Sequence, residues 1–262
     1  MKNILVCIKQ VPDTTEVKLD PVTGTLIRDG VPSIINPDDK AGLEAALKLK
    51  DETGATVSVI SMGPPQAEEA LREALAMGAD EACLVTDRAF GGADTLATSY
   101  TVAAGIKALG DFDLIIAGRQ AIDGDTAQVG PQIAEWLDLP NVSYAADIKV
   151  DGNDVIVKRQ YDDRYHTVRV AMPCLVTALG DMNTPRYMTP GGIFDAYEKE
   201  IKIITRADVD VDDNFLGLKG SPTNVAQSFP KQLKPAGVKE TGLAAADAAD
   251  YIFGKLKEKY VI

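Results

Sequence analysis

Two hydrophobic periodicities alternate along the first two-thirds of the chain. Continuous apolar runs, such as residues 4–8, are typical of strands that are buried on both faces of a sheet. Other segments, such as residues 38–50, mix apolar and charged positions at helical spacing. This alternation of strands and helices predicts an α/β fold in which helices cover both faces of a mostly parallel sheet.

The predicted elements can be bounded from the pattern and from glycines and prolines. Strands are predicted at residues 4–8, 56–62, 82–86, 114–117 and 175–178, and helices at 38–50, 67–77, 94–109 and 126–137. Asp38 or Asp39 is predicted to cap the first helix, and Gly78 and Gly110 to end the second and third. Residues 143–150, 155–160 and 167–170 alternate like antiparallel strands, and the DGND sequence at 151–154 predicts a hairpin turn.

The periodicity is lost after about residue 207. An acidic stretch at 208–213 is followed by several prolines and glycines, and a final helix is predicted at 243–259. We therefore expect two parts, an α/β domain at residues 1–205 and a C-terminal arm at 206–262 that packs on a partner. The apolar residues expected to face that partner are Phe215, Leu216, Leu218, Phe229, Leu233, Leu243, Ile252, Phe253 and Leu256.

Charge and composition argue against several classes of function. The chain of 262 residues carries 39 acidic and 27 basic residues, a formal net charge of −12, which argues against nucleic-acid binding. The three cysteines form no CxxC pair, and His166 is the single histidine, so we expect neither a metal site nor a catalytic nucleophile. Because no apolar run is long enough for a membrane span or a signal peptide, we expect a cytoplasmic protein.

The sequence GRQAIDGDTAQVGP at residues 118–131 is the sharpest chemical motif. It follows a predicted strand and leads into a helix, the place where α/β proteins bind phosphates through free N–H groups. Gly118 and Gly124 allow close approach of the backbone, Thr126 adds a hydroxyl donor, and Asp125 and Gln128 have capping-box spacing. An ordinary loop before a well-capped helix explains the pattern equally well, since neither GxGxxG nor a P-loop is present.

A second glycine-bearing loop precedes the helix predicted at 94–109. Gly91 and Gly92 place bare backbone before the helix start, and Asp94 or Thr95 is the candidate cap. On pattern alone a plain connecting loop is the better interpretation.

Five segments together resemble the beta subunit of electron transfer flavoproteins. They are VCIKQVPD at 6–13, NP at 36–37, ALAMGAD at 74–80, GRQAIDGDTAQVGP at 118–131 and PRY at 185–187. The resemblance implies a doubly wound, adenine-nucleotide-binding α/β fold with an added β-hairpin region and a C-terminal arm. It also implies a heterodimer with a flavin-carrying alpha subunit, which the arm embraces. The nucleotide contacts implied by matching motifs are Cys7, Asn36, Pro37, Asp38, Asp39, Met62, Gly118, Arg119, Gln120, Ala121, Ile122, Asp123, Gly124, Asp125, Thr126, Ala127, Gln128 and Val129.

Residues 87–98 and 123–130 resemble the electron-bifurcating group of the family. That group binds FAD in the beta subunit, takes hydride from NADH, and divides the electrons between ferredoxin or flavodoxin and the alpha-subunit FAD, which feeds an acyl-CoA dehydrogenase. Gly91, Gly92 and Thr95 are then the expected NADH contacts. Arg119 is a candidate for tuning the flavin, although an ion pair or a phosphate contact explains it equally well.

Two alternatives remain open from the sequence. In the other group of the family, the beta subunit binds AMP as a purely structural nucleotide. A stand-alone ATP-binding stress-protein module also fits the pattern of elements, although the motif at 118–131 argues against it. One departure from the family concerns residues 193–200, which are net acidic where the family often has basic residues that recognise the dehydrogenase.

Overall fold

A computed structural model describes residues 1–13, 32–226 and 235–262. The chain forms two compact units, Met1–Gln227 and Ser228–Ile262. The first unit is an α/β sandwich, and the described residues of the second contain one helix, α6 (Ala245–Glu258). Residues 206–226 belong to the first unit, whereas the sequence analysis assigned them to the C-terminal arm. Phe229 and Leu233, two of the residues expected to face a partner, lie outside the described residues.

Nine strands of the described residues form one large sheet. Its strands, in spatial order, are β11 (Ile201–Ile204), β5 (Glu81–Val85), β4 (Thr56–Met62), β1 (Asn3–Cys7), β6 (Leu114–Gly118), β10 (Cys174–Ala178), β7 (Asn141–Asp151), β8 (Asp154–Gln160) and β9 (Tyr165–Ala171). The pairs from β11 through β7 are parallel, and β7, β8 and β9 pair antiparallel. The predicted mostly parallel α/β sheet with an added hairpin region is therefore confirmed.

Helices cover both faces of the sheet. They are α1 (Pro37–Thr53), α2 (Glu68–Met77), α3 (Thr95–Leu109), α4 (Val129–Trp136) and α5 (Pro190–Glu198). Ile4 and Val6 of β1 lie in a core cluster with residues of α1, α2 and α5. Leu5 points to the other face and packs in a second cluster with residues of α3 and α4. Successive residues of a strand face opposite sides of the sheet. A strand that is apolar throughout therefore packs against helices on both faces.

The hairpin predicted from the DGND sequence is present. Asp151 pairs with Asp154 at the β7–β8 turn, and Gly152 has a φ of 62°, a conformation that glycine adopts without a Cβ penalty. Val155 and Val157 of β8 are buried two residues apart, as expected for a strand with one face on the core. β7 instead buries Val142, Ala145 and Ile148 at a spacing of three, and its pairing with β8 shifts register between Ala145 and Asp147.

Several elements differ from the sequence prediction. α4 begins at Val129 instead of residue 126, because Asp125 and Ala127 have φ values of 51° and 52°, outside the helical region. α5 and β11 were not predicted, nor was a small antiparallel ribbon of β2 (Gln10–Pro12) and β3 (Ser33–Ile35). Leu216 was expected to face a partner, but it is buried in the core beside α3. None of the described helices is long and apolar enough to cross a membrane.

Candidate functional site

The strand order creates a crevice at the carboxyl ends of β1 and β6. From β1 the chain runs to β4 and β5 on one side, and then returns to β6 on the other side. Ligands of open α/β sheets bind at such a topological switch point. Cys7, the last residue of β1, pairs with Ala117, so the 118–128 loop begins at the crevice. The motif found in the sequence therefore lies where this fold binds ligands.

Asp39 joins the two strands at the crevice. Its Oδ2 accepts the Lys9 backbone N–H at 2.8 Å, and its Oδ1 accepts the Gly118 N–H at 3.0 Å. Burial raises the pKa of the Asp39 carboxyl to about 7, against the lowering effect of its hydrogen bonds. The prediction that Asp38 or Asp39 caps α1 was wrong, since Asn36 is the N-cap residue and both aspartates lie within the first turn.

Gly118 is required by this contact. A β-carbon at position 118 would overlap Asp39 Oδ1 and lie 2.8 Å from the Asp39 backbone nitrogen. The start of α1 packs directly against the end of β6, and only glycine leaves the necessary space. Close packing of α1 against β6 thus explains the glycine at position 118 without any ligand. Close approach of a ligand to Gly118 stays a prediction.

Two side chains from the end of β1 and the start of α1 hold the 118–128 loop. Asn36 is 0% exposed; its Nδ2 donates to the Gln120 carbonyl at 2.8 Å, and its Oδ1 accepts the Ile122 N–H at 3.0 Å. The Lys9 ammonium forms an ion pair with Asp123 at 2.7 Å, where the Asp123 side chain is almost buried. The first half of the loop is therefore preorganised by the protein.

The tip of the loop is open. Gly124, Asp125 and Thr126 are exposed, and a β-carbon at Gly124 would meet nothing within 4 Å. Asp125 and Ala127 adopt positive φ, a conformation that costs non-glycine residues energy and often marks functional loops. The predicted capping box was wrong, because Asp125 accepts from Gln120 Nε2 at 2.8 Å and Gln128 is itself the N-cap.

Arg119 is paired within the crevice. Its Nε lies 3.2 Å from Asp38 Oδ2, close enough for an ion pair, but the two atoms are buried and their alignment gives no hydrogen bond. One third of the Arg119 side chain remains exposed, so the rest of the guanidinium can reach a ligand. Arg119 therefore has an ion-pair partner in Asp38, as one of the two interpretations from the sequence expected. Its role in tuning a flavin stays a prediction.

Cys7 and Met62 end the neighbouring strands β1 and β4, and both are partly buried. Burial, with a smaller effect of Asp39, raises the pKa of the Cys7 thiol to about 12, so the thiol is protonated at neutral pH. Both residues can therefore contribute backbone and packing surface to a ligand, and their contact with a nucleotide stays a prediction.

The Gly91–Gly92 loop lies beside the 118–128 loop. Asp94 is the N-cap of α3, and the Thr95 hydroxyl donates to Gln128 Oε1 at 3.0 Å, joining the starts of α3 and α4. Residues 216–223, which we call the strap, cover part of this loop: the Leu218 N–H donates to the Gly91 carbonyl at 3.0 Å. Sequence analysis missed the strap because the segment has no periodicity and because Leu216 and Leu218 were assigned to a partner surface.

A surface around α5 exposes several large apolar side chains; we call it the α5 surface. Tyr187 and Phe194 are 95% and 76% exposed. The remaining apolar members are Met188, Ile193 and Tyr197. Arg186 fixes the preceding segment through Glu44, at 2.9 Å, and Arg72 donates to the Ala196 and Lys199 carbonyls at the end of α5. The patch is thus exposed but firmly positioned.

Proteins of known family resemble this chain over almost its whole length. A family profile described as "Electron transfer flavoprotein domain" matches residues 23–209. "Electron transfer flavoprotein subunit beta" of Clostridium acetobutylicum is 60% identical over 260 residues, covering 99% of this chain and 100% of that protein. "Caffeyl-CoA reductase-Etf complex subunit CarD" of Acetobacterium woodii is 57% identical over 260 residues, 99% of each chain. "Acryloyl-CoA reductase electron transfer subunit gamma" of Anaerotignum propionicum is 48% identical over 267 residues, 99% of each.

These similarities extend through the crevice, both glycine-bearing loops and the α5 surface, because they span almost the entire chain. The resemblance drawn from the sequence motifs is confirmed. The chain belongs to the electron transfer flavoprotein family, as one of its beta subunits.

Proposed function

We propose that this subunit binds FAD at the β1–β6 crevice and oxidises NADH, as part of an electron-bifurcating flavoprotein. The electrons are divided between ferredoxin or flavodoxin and the FAD of the alpha subunit, which serves an acyl-CoA dehydrogenase. The observation that carries the proposal is the pair of neighbouring loops at the starts of α3 and α4, joined by the Thr95–Gln128 hydrogen bond. Two dinucleotides need two anion-binding positions, and these loops offer two adjacent ones.

The residues at the crevice fit a dinucleotide. Gly118 lets α1 pack against the end of β6, Gly124 and Thr126 lie exposed at the tip of the 118–128 loop, and Asn36 keeps the loop in shape. The partly exposed Arg119 offers a cation to a phosphate or to a flavin. When bound, a flavin supplies the ability to accept a hydride as an electron pair and to release electrons singly. The protein's task is to hold, orient and shield that group.

The partners follow from exposed surfaces and from the relatives. α6 has no buried residue within the described unit, and Ile252 and Phe253 on it are both 59% exposed, which supports packing on an alpha subunit. The names of two relatives refer to caffeyl-CoA and acryloyl-CoA reductases, which supports an acyl-CoA dehydrogenase type of electron acceptor for this chain. The exposed aromatic residues of the α5 surface suit docking of that acceptor.

One observation favours the alternative, a structural AMP in place of FAD. The strap already occupies the Gly91 carbonyl, and Ser221 accepts the Asp94 N–H at 2.8 Å, so part of the second loop is engaged by the chain itself. A subunit that binds one mononucleotide needs only the 118–128 loop.

The deciding experiment is a count of flavins in the purified heterodimer, followed by anaerobic addition of NADH. Two FAD per heterodimer and rapid bleaching of the visible spectrum are the expected results. One FAD with one AMP, and no reduction by NADH, would overturn the proposal and establish the structural-AMP alternative.

A further inference from the structure

We propose that Asp94 is a positioning residue that ties the 118–128 loop to the strap, so that nucleotide retention and attachment of the strap depend on each other. The inference rests on the proposed function only in requiring that the 118–128 loop holds a nucleotide, whether FAD or AMP. It gives residues 216–223 a role within this subunit, whereas the sequence analysis assigned them to an arm that packs on a partner.

The Asp94 carboxylate serves two elements at once. Its Oδ1 accepts the Ala97 N–H at 3.1 Å and caps α3. Its Oδ2 accepts both the backbone N–H of Thr223 at 3.0 Å and the Thr223 hydroxyl at 2.6 Å. These bonds hold the pKa of Asp94 below its usual range, although partial burial acts in the opposite direction. One side chain therefore fixes both the start of α3 and the end of the strap.

The rest of the strap follows the surface of the Gly91–Gly92 loop. Leu216 is buried in the same core cluster as Phe90, and a β-carbon at Gly217 would overlap the Ala89 carbonyl oxygen. The Ser221 hydroxyl donates to the Gly217 carbonyl at 2.7 Å and accepts the Asp94 N–H. The strap is thus fastened at both ends, by an apolar contact at Leu216 and by polar contacts at Asp94.

A single residue, Thr95, connects Asp94 to the 118–128 loop. Thr95 follows Asp94 directly, and its hydroxyl donates to Gln128 Oε1. Gln128 is the N-cap residue of α4 but makes no capping bond of its own, so the Thr95 hydrogen bond is what orients its side chain. Residues 125–127 immediately before it form the strained tip of the loop. A shift of the α3 start is therefore transmitted to the part of the loop that a nucleotide would touch.

The test uses the purified heterodimer with its alpha subunit and measures the release rate of whichever nucleotide this subunit holds. Thr223→Val removes the hydroxyl donor to Asp94 with little change in shape. Asp94→Asn keeps a residue that is a good N-cap but replaces one of the two acceptor oxygens with an amide NH2 group, which cannot accept a hydrogen bond. We expect both variants to release the nucleotide about three- to tenfold faster, because only part of the energy of the lost hydrogen bond to the carboxylate reaches the 118–128 loop.

The matched control is Thr205→Val. Thr205 donates through its N–H and its hydroxyl to Asp208 Oδ2, at 2.8 and 2.7 Å, the same arrangement as Thr223 on Asp94, but the Asp208 carboxylate caps a different turn, Arg206–Asp208. The Thr205→Val variant should release the nucleotide at the same rate as the unmodified protein. Unchanged release in Thr223→Val and Asp94→Asn, or equal acceleration in the control, overturns the inference.

Hydrogen exchange separates this inference from the proposed function. In Thr223→Val, amides of the strap and of residues 118–128 should exchange faster together. If the complex proves to hold AMP, the FAD proposal fails while the release test still applies. If the complex holds no nucleotide, the proposed nucleotide site is wrong, and hydrogen exchange alone tests the coupling. Faster exchange in the strap without faster exchange in residues 118–128 would then overturn the inference.

Discussion

The Asp39 carboxylate and the Gly118 amide meet across the crevice between β1 and β6. Oδ1 accepts the Gly118 N–H at 3.0 Å, and the same oxygen occupies the space that a β-carbon at position 118 would need. The helix start and the strand end are thereby joined at the point where the 118–128 loop leaves the sheet. The shape of the candidate site depends on this one contact.

Gly118→Ala should destabilise the protein by about 1–3 kcal/mol and lower nucleotide retention, because the added carbon pushes α1 away from β6. Gly124→Ala is the control, since a β-carbon there has open space and its φ is not in the left-handed region. Thermal unfolding of the two variants, and the nucleotide content of Gly118→Ala compared with the unmodified protein, check the prediction. Similar unfolding temperatures for both would contradict it.

Nucleotide binding at the tip of the loop can be tested with Gly124→Val and Thr126→Ala. The chain itself does not crowd position 124, so a weaker complex in Gly124→Val would report contact with the ligand. We expect each variant to lose about 1–3 kcal/mol of nucleotide binding, the value of a hydrogen bond to a charged group. The readout is nucleotide remaining after gel filtration; retention equal to that of the unmodified protein in both variants would show that the loop assignment is wrong.

Asp39 should make stability depend on pH near neutrality. Its pKa is about 7 in the folded protein, raised by burial from 3.8, so the folded state holds the proton more tightly than the unfolded state. The stabilisation is fully present below the unfolded pKa and is lost as the pH rises through about 7, a change on the order of 4 kcal/mol. Unfolding temperatures measured between pH 5 and 8 should therefore fall more steeply for the unmodified protein than for Asp39→Asn. Parallel curves would refute this assignment.

The α5 surface should carry the contact with the acyl-CoA dehydrogenase. Truncation of an exposed aromatic residue at the centre of an interface costs about 2 kcal/mol or more of binding. We expect Phe194→Ala to weaken binding of the dehydrogenase to the heterodimer without changing its nucleotide content. Tyr165→Ala, an exposed aromatic residue on β9, is the control. Titration calorimetry with the partner enzyme measures the affinity of each variant. Equal affinities for Phe194→Ala and Tyr165→Ala would show that the α5 surface does not contact the dehydrogenase.

α6 should be needed for assembly with the alpha subunit. Ile252 and Phe253 are exposed apolar residues on a helix that has no buried residue within its described unit. Replacement of both by glutamate should abolish co-purification with the alpha subunit, because charges cannot be buried unpaired in an apolar interface. Lys257→Glu introduces the same charge on α6 as a control. A stable heterodimer with both apolar residues replaced would contradict the prediction.

The central strands and helices could be predicted because their local signals agree with their tertiary surroundings. β4 is a run of apolar and small residues between Gly54 and Gly63, and its predicted and observed bounds are the same. α3 begins after Asp94 and ends before Gly110, as capping preferences require. Such elements carry their boundaries in the sequence.

Other elements depend on contacts that the sequence does not display. α5 has a favourable start, because Thr189 accepts the Gly192 N–H as the N-cap and Pro190 follows it. The two glycines at 191 and 192 lower its helix propensity, and its end is held by Arg72 from α2. Asp39 was expected to cap a helix, since an acidic residue near a helix start usually does so. Its partners are the amides of Lys9 and Gly118, which lie far away in the sequence and approach it only in the folded sheet.

The strand β11 closes the outer edge of β5 with residues from much later in the chain. Ile201 pairs with Ala82, and Ile204 with Val85. A ribosome makes β5 long before β11, so the growing chain carries an apolar strand with unpaired amides throughout the synthesis of the intervening residues. Such an edge readily pairs with other chains. We therefore expect ribosome-bound chains that stop before residue 201 to bind chaperones more strongly than chains that extend past residue 226.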